Sequence, residues 1–300
     1  MPAEPAATAR EDSLSARLIV PLVGIPALLW VTWLGGVPYA LFVTGMVLLG
    51  LREYLAVLPK GGLVPRPLPV YAAALGLLAG FAYRAGTLGP GLAGGDAALF
   101  LLAAVVLLVM VLQTVEVVAS AGSGWANLAA NVVGVLWIAG FGGTFMLVRS
   151  AALPAVGPTV DVAFRLTVAL YVAVWICDSL AYLIGRRFGQ TRILPKVSPN
   201  KTLVGTLAGA LGALTTMLLL GFAGWLPKGA FALDGLILLG LIVGLAGQMG
   251  DFAESQFKRD FGVKDTGTLL PGHGGVLDRF DSLLFVMPLT YLYIEFLLRS

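Results

Sequence analysis

From about residue 18 to residue 298 the chain returns repeatedly to runs of apolar residues, and no long polar block separates them. A helix that crosses the hydrocarbon of a bilayer needs about 20 apolar residues, because each residue advances it by only about 1.5 Å. Runs of that order lie near 18 to 34, 37 to 51, 68 to 83, 97 to 115, 126 to 148, 162 to 184, 203 to 226, 235 to 250 and 282 to 298. The pattern predicts an all-α, polytopic integral membrane protein of about nine transmembrane helices. The second and third runs are short, so they must borrow flanking residues or tilt less than usual. Composition agrees: 58% of the residues are hydrophobic and 12% charged. Soluble domains carry about 25% charged residues, so the apolar excess must face lipid.

Residues 1 to 17 are polar, contain acidic residues and lack an apolar run. They read as a disordered cytoplasmic tail rather than a secretory leader. Residues 18 to 300 read as a single transmembrane catalytic domain, with N-terminal spans over 18 to 160 and a catalytic part over 162 to 300. Loop charge sets the orientation, because cytoplasmic loops collect Lys and Arg. With the N-terminus cytoplasmic, 14 of the 19 basic residues fall on the cytoplasmic side, leaving Arg84, Arg149, Arg165, Lys228 and Arg299 opposite. This parity places a multi-pass protein in the cell membrane with its polar segments facing the cytoplasm. The small net charge of +3 gives no reason to expect a nucleic-acid partner. A single cysteine, Cys177, excludes an internal disulfide and a Cys-rich zinc site. Glycines such as Gly205, Gly209 and Gly212, and Gly240, Gly244 and Gly247, are expected to let helices pack closely. A homodimer through a glycine-rich helix is compatible with this composition. No internal repeat of the kind many transporters carry is visible.

Polar chemistry concentrates in two segments predicted to be cytoplasmic, 185 to 202 and 251 to 281. Ionisable groups in or beside membrane helices are costly unless paired, hydrated or bound to an ion, which makes each a functional candidate. In the first segment, Asp178 lies about two turns before the end of its helix, with Tyr182 four residues on and therefore on the same face. Arg186, Arg187, Ser198, Pro199, Asn200, Lys201 and Thr202 follow at the start of the next helix. Free N–H groups, hydroxyls and a lysine there could cradle an anion. Equally, Ser198 could simply cap the helix while the basic residues fix topology.

In the second segment, Asp251 ends one predicted span while Asp278 and Asp281 open another, which puts all three at one membrane level. Asp278 and Asp281, three apart, should share a helix face. Carboxylate oxygens are hard ligands suited to Mg²⁺, which keeps waters and shares its shell with substrate phosphates. Glu254 could add a contact, and Asp265 is a further acidic candidate. Lys258, Arg259 and Lys264 lie between these acids, followed by Pro271, Gly272, His273, Gly274 and Gly275. Such glycines allow backbone N–H groups to approach a phosphate. Acids for a metal and bases for phosphate on one loop point to phosphoryl or nucleotidyl chemistry. A topogenic charge network is the plainer alternative. His273, the only histidine, reads as a phosphate donor rather than a metal ligand. Glu116 and Asp161 read as ordinary loop or helix-end charges, and Glu53 as paired with Arg52.

The run Ser255, Lys258, Arg259, Lys264, Asp265, Gly267, Pro271, His273, Gly274, Gly275, Asp278, Arg279 and Asp281 resembles the C-terminal signature of the phosphatidate cytidylyltransferases, the CDP-diacylglycerol synthases. A weaker upstream resemblance covers Trp175, Asp178, Ala181, Tyr182, Gly185, Arg186, Phe188, Gly189 and the stretch from Ser198 to Thr202. Residues before about 160 resemble the family only as hydrophobic spans. Leu203 and Val204 stand where relatives commonly carry Trp or Leu and then Glu, and Ser179 and Leu180 where they often carry Thr and Gly. The resemblance implies that CTP and phosphatidic acid give CDP-diacylglycerol and pyrophosphate with a divalent metal. It assigns Mg²⁺, with or without a second cation, to Asp251, Asp278 and Asp281. Lys258, Arg259, Lys264, Lys201 and Arg279 would neutralise the phosphates, Asp178 would complete the polar cavity or act as a further ligand, and membrane lipid would admit the acyl chains. Ser198, Thr202, His273, Gly274 and Gly275 complete the expected substrate-binding set. A CTP-dependent lipid-alcohol kinase, an ether-lipid cytidylyltransferase and, outside enzymes, a transporter are the alternatives.

Overall fold

The computed structural model describes residues 14–89, 94–119, 124–153, 161–270 and 274–298. Among these, nine helical rods follow one another as the apolar runs do. They are α1 (Leu14–Leu34), α2 (Gly36–Val57), α3 (Pro67–Arg84), α4 (Gly94–Ala119), α5 continued by α6 (Gly124–Gly134 and Phe141–Arg149), α7 (Val162–Phe188), α8 (Leu203–Phe222), α9 continued by α10 (Leu233–Leu241 and Gln248–Asp260), and α11 (Leu277–Tyr293). π-type stretches join the two composite rods at Val135–Gly140 and Ile242–Gly247. The described residues contain only isolated bridges and no extended strand.

Six of these helices are long and apolar enough to cross a membrane. The second apolar run, short in sequence, gains length from its flanks and becomes one of the six as Gly36–Gly61. α3 remains short at 18 residues. Residues 14 to 17 of the expected tail belong to α1, while residues 1 to 13 lie outside the described residues.

Large apolar side chains such as Trp30, Trp33, Leu107, Met110 and Val118 are exposed. That arrangement suits a bundle whose solvent is lipid rather than water. Interior packing instead depends on small residues. A Cβ on Gly205 would stand 2.6 Å from the Ala181 carbonyl oxygen and 2.9 Å from the Gly185 Cα, so α7 and α8 meet backbone to backbone. Gly240 and Gly244 do the same for the α9 rod, where a Cβ would lie 2.7 Å from Leu214 Cα and 2.8 Å from Ala210 Cα. The glycine pattern thus lets helices associate without a hydrophobic force between them.

The two ends of the bundle differ chemically. At one end, Arg149 pairs with Asp161 at 2.9 Å and donates to the Thr32 carbonyl, while Arg165 donates to the Trp225 carbonyl and Arg84 pairs with Glu295. The opposite end gathers the C-terminal turns of α2, α7 and α10 with the first turns of α8 and α11, and it carries the acids and bases singled out above.

Candidate active site

α7 brings Asp178, Tyr182 and Arg186 to this end on one face, and the Arg186 guanidinium donates to the Tyr182 hydroxyl at 3.0 Å. The following segment folds back so that Thr202 becomes the N-cap of α8, its hydroxyl accepting from Gly205 N–H at 3.2 Å. Thr202 rather than Ser198 therefore caps the helix. Ser198 instead takes part in backbone turns, its N–H donating to the Leu194 carbonyl at 2.8 Å, and it does not line the adjacent cleft. Lys201 Nζ pairs with Asp251 at 2.5 Å and lies 4.2 Å from the Phe252 ring centroid.

Asp178, Tyr182, Arg186, Asn200, Lys201, Thr202, Thr206, Gln248 and Asp251 line a polar cleft of about 510 Å³. Gln248 is held by donating to the Thr206 and Gly244 carbonyls at 3.0 and 2.6 Å. Beside the cleft lies an apolar groove of about 700 Å³ between α1, α2, α7 and α11, walled by residues such as Leu28, Phe42, Met46 and Trp175. Its polar mouth holds Asp178, Arg279 and Asp281. Asp178 lines both spaces.

α10 and α11 pack closely where Gly250 meets the Asp281 backbone, since a Cβ on Gly250 would run into the Asp281 carbonyl. Asp281 thereby comes within electrostatic reach of both Asp251 and Asp178. Asp278 borders the same groove as Asp178 and Asp281. Its Oδ2 accepts from Thr266 N–H at 3.0 Å, the Thr266 hydroxyl at 2.9 Å and Gly275 N–H at 2.8 Å, and its Oδ1 accepts from Lys258 at 2.7 Å. With four donors on two oxygens, Asp278 holds the loop in place at the edge of that groove. Lys258 is sandwiched between Asp278 at 2.7 Å and Glu254 at 2.5 Å.

Other expected residues are dispersed. Arg259 donates to the Val197 carbonyl at 3.4 Å, tying α10 to the α7–α8 connection, and Lys264 is exposed on the loop. Gly274 adopts φ +77° beside Asp278, and Gly275 supplies an N–H to it. Pro271, Gly272 and His273 lie outside the described residues.

Among the described residues, no three His, Cys, Asp or Glu side chains stand close enough to cage a cation. The hard oxygens of Asp251, Asp278 and Asp281, with Asp178 beside them, fit an ion that brings its own waters and substrate phosphates, as Mg²⁺ does. A softer, fully protein-ligated metal would not be satisfied there.

Sequence reasoning missed the burial of two acids. Glu53 is buried and is not paired with Arg52: it accepts from Val276 N–H and Leu277 N–H at 2.9 Å each, and from the Thr266 hydroxyl at 3.3 Å. Glu116 lies at the end of α4, as expected for a helix-end charge, but it is buried against Arg66 at 3.0 Å. A carboxylate just past the end of an apolar run, followed by the apolar residues Tyr54 to Leu58, was the available signal for Glu53.

The model of the cytidylyltransferase family matches residues 15–297. Three proteins named phosphatidate cytidylyltransferase are similar to part of the chain: that of Staphylococcus saprophyticus is 43% identical over 125 residues, that of Staphylococcus aureus strain COL 48% over 122, and that of Staphylococcus haemolyticus 44% over 119. Each match covers 40% of this chain and spans about 45% of the relative's length.

Proposed function

This chain belongs to the cytidylyltransferase family, and we propose that it transfers the cytidylyl group of CTP to phosphatidic acid, giving CDP-diacylglycerol and pyrophosphate. The observation that carries the reading is the shared wall at Asp178: a polar cleft for a water-soluble nucleotide and an apolar groove for a lipid adjoin at one carboxylate. The names of the similar proteins agree with it.

In this reading a phosphatidate oxygen attacks the α-phosphorus of CTP, the bond from that phosphorus to the bridging oxygen breaks, and pyrophosphate leaves with the electron pair. Phosphatidate is already ionised near neutral pH, so no strong general base is needed. The principal barrier is the approach of two anions. Arg186 and Lys201 in the cleft and Arg279 at the groove mouth offset that repulsion from two sides. The Lys201–Asp251 pair fixes where the ammonium sits before substrate arrives. Backbone N–H groups at the start of α8, beside Thr202, favour an anionic phosphate. Asp251, Asp278 and Asp281, with Asp178 as a further ligand, are the residues that would hold Mg²⁺, which would supply charge neutralisation shared between the phosphates. The apolar walls accept the first part of the acyl chains, and the remainder stays in the bilayer. The basic end of the bundle faces the cytoplasm of the cell membrane, where CTP is available.

The test is to supply the purified chain in detergent with labelled CTP, phosphatidate and Mg²⁺. Label should become lipid-soluble only with phosphatidate present. Lipid labelling that is independent of phosphatidate, or that requires a lipid alcohol instead, would overturn the assignment.

A further inference from the structure

We propose that Glu53, which lines neither the polar cleft nor the apolar groove, is a positioning residue that fixes the start of α11 and so sets the reach of Arg279 and Asp281 into the site. The kinetic consequence rests on the cytidylyl-transfer reading, whereas the anchor rests on geometry alone.

α11 begins without a cap of its own. Val276 occupies the N-cap position, and its side chain has no acceptor for the free N–H groups that follow. Val276 and Leu277 are both buried, so water cannot take that place. The acceptor comes from α2 instead. Glu53 Oε1 takes the Val276 N–H and Oε2 takes the Leu277 N–H, each at 2.9 Å, while the Thr266 hydroxyl also donates to Oε2. A carboxylate is favoured at a helix N-terminus over a neutral acceptor by the partial positive charge there.

Two glycines indicate that the loop is shaped around this side chain. A Cβ on Gly267 would find Glu53 Oε1 at 2.5 Å and Cδ at 2.7 Å, and one on Gly275 would overlap Oε2. The loop therefore leaves at both points the room that the carboxylate occupies. From the anchored N–H of Leu277 to Arg279 and Asp281 is about one helical turn. A shift of the first turn is carried directly to both side chains at the groove mouth.

The test uses the full chain in detergent with Glu53→Ala, Glu53→Gln, Gly267→Ala and the Glu53→Ala/Gly267→Ala pair. Readouts are kcat, KM for each substrate, thermal midpoint, and hydrogen exchange at Val276 and Leu277. A displacement of about 1 Å costs on the order of 100-fold in rate, so Glu53→Ala should lower kcat by that order while each KM stays within about three-fold. Exchange at the two amides should rise by about ten-fold or more, and Glu53→Gln, which keeps one carbonyl acceptor, should fall between. Gly267→Ala should harm the wild-type protein but add little once Glu53 is Ala, because the methyl then has room.

The proposal is overturned if kcat of Glu53→Ala stays within about two-fold of wild type, if exchange at Val276 and Leu277 is unchanged, or if Gly267→Ala costs the same in both backgrounds. A loss of kcat that merely follows the folded fraction overturns it too. Should the wild type make no cytidylated lipid, the transfer reading falls, and the exchange data together with the Gly267 cycle read as thermal midpoints still decide the anchor.

Discussion

Lys258 offers the sharpest test of the buried network behind the site. Its Nζ lies 2.5 Å from Glu254 Oε2 and 2.7 Å from Asp278 Oδ1, and the two acid side chains are only 1% and 3% exposed. Lys258→Met removes the charge while keeping most of the apolar stem. Asp278 would still be met by Thr266 N–H, the Thr266 hydroxyl and Gly275 N–H. Glu254 would lose its Lys258 donor at Oε2 and keep only Asp278 as a side-chain partner, its Oε1 having none. Removing one member of a buried ion pair costs about 3–5 kcal/mol, and the donors retained by Asp278 put this case near the lower end, at about 3 kcal/mol. For a chain of this size that is a fall of about 5 °C in thermal midpoint. The measurement is thermal unfolding in detergent, followed by circular dichroism. Adding Glu254→Gln replaces the acid that Lys258 had met with an amide that can donate to Asp278, so the double variant should recover about 2 kcal/mol. A Lys258→Met midpoint within about 2 °C of wild type, or a double variant less stable than the single one, would refute the reasoning.

The acids should separate by role: Asp281→Asn should lower kcat by about 100-fold or more with the midpoint nearly unchanged, whereas Asp278→Asn, which sets an amide against N–H donors, should destabilise by about 2 kcal/mol. Kinetics and melting of the same preparations check this. Gly45 lines the apolar groove and nothing lies within 4 Å of an added Cβ. Gly45→Leu should therefore fold but narrow the groove, moving kcat/KM by about ten-fold toward short-chain phosphatidate in a chain-length series. Gly205→Val would push α7 and α8 apart and cost about 2–3 kcal/mol, while Gly76→Ala, with open space around it, should leave the midpoint unchanged or raise it.

Hydropathy alone located all nine rods, because a helix in lipid must be both long and apolar. It could not give their exact lengths: α2 gains its last turn from residues as polar as Arg52 and Glu53, which sit at the end of the bundle rather than in its middle. The close approach of α7 and α8 was legible in Gly205, Gly209 and Gly212, since spacing and residue size act locally. Side-chain direction was not. Asp278 and Asp281 are three apart and both border the groove, yet Asp278 accepts from Thr266 and Gly275 while Asp281 accepts from the Ser282 N–H. The choice depends on donors presented by a loop whose path no helical periodicity describes. Glu53 was missed for a related reason. Its partners lie 213 to 224 residues away, and an adjacent arginine offers a simpler pairing to anyone reading along the chain.

The apolar half of the chain thus contributes more than a membrane anchor. α1 and α2 build two walls of the groove, and α2 also delivers the carboxylate that caps α11. One helix therefore walls the apolar groove on one side and caps the acid-bearing helix on another. A nucleotide site could be assembled from α7, α8 and α10 alone, as the lining of the polar cleft indicates. Joining it to a lipid requires a wall that is apolar along its length and polar at one end, and Asp178 together with Arg279 and Asp281 at the groove mouth meets that requirement. Loss of α1 should accordingly spare nucleotide binding while abolishing lipid-dependent turnover. A truncated chain that retained both would show that the groove is not the lipid path.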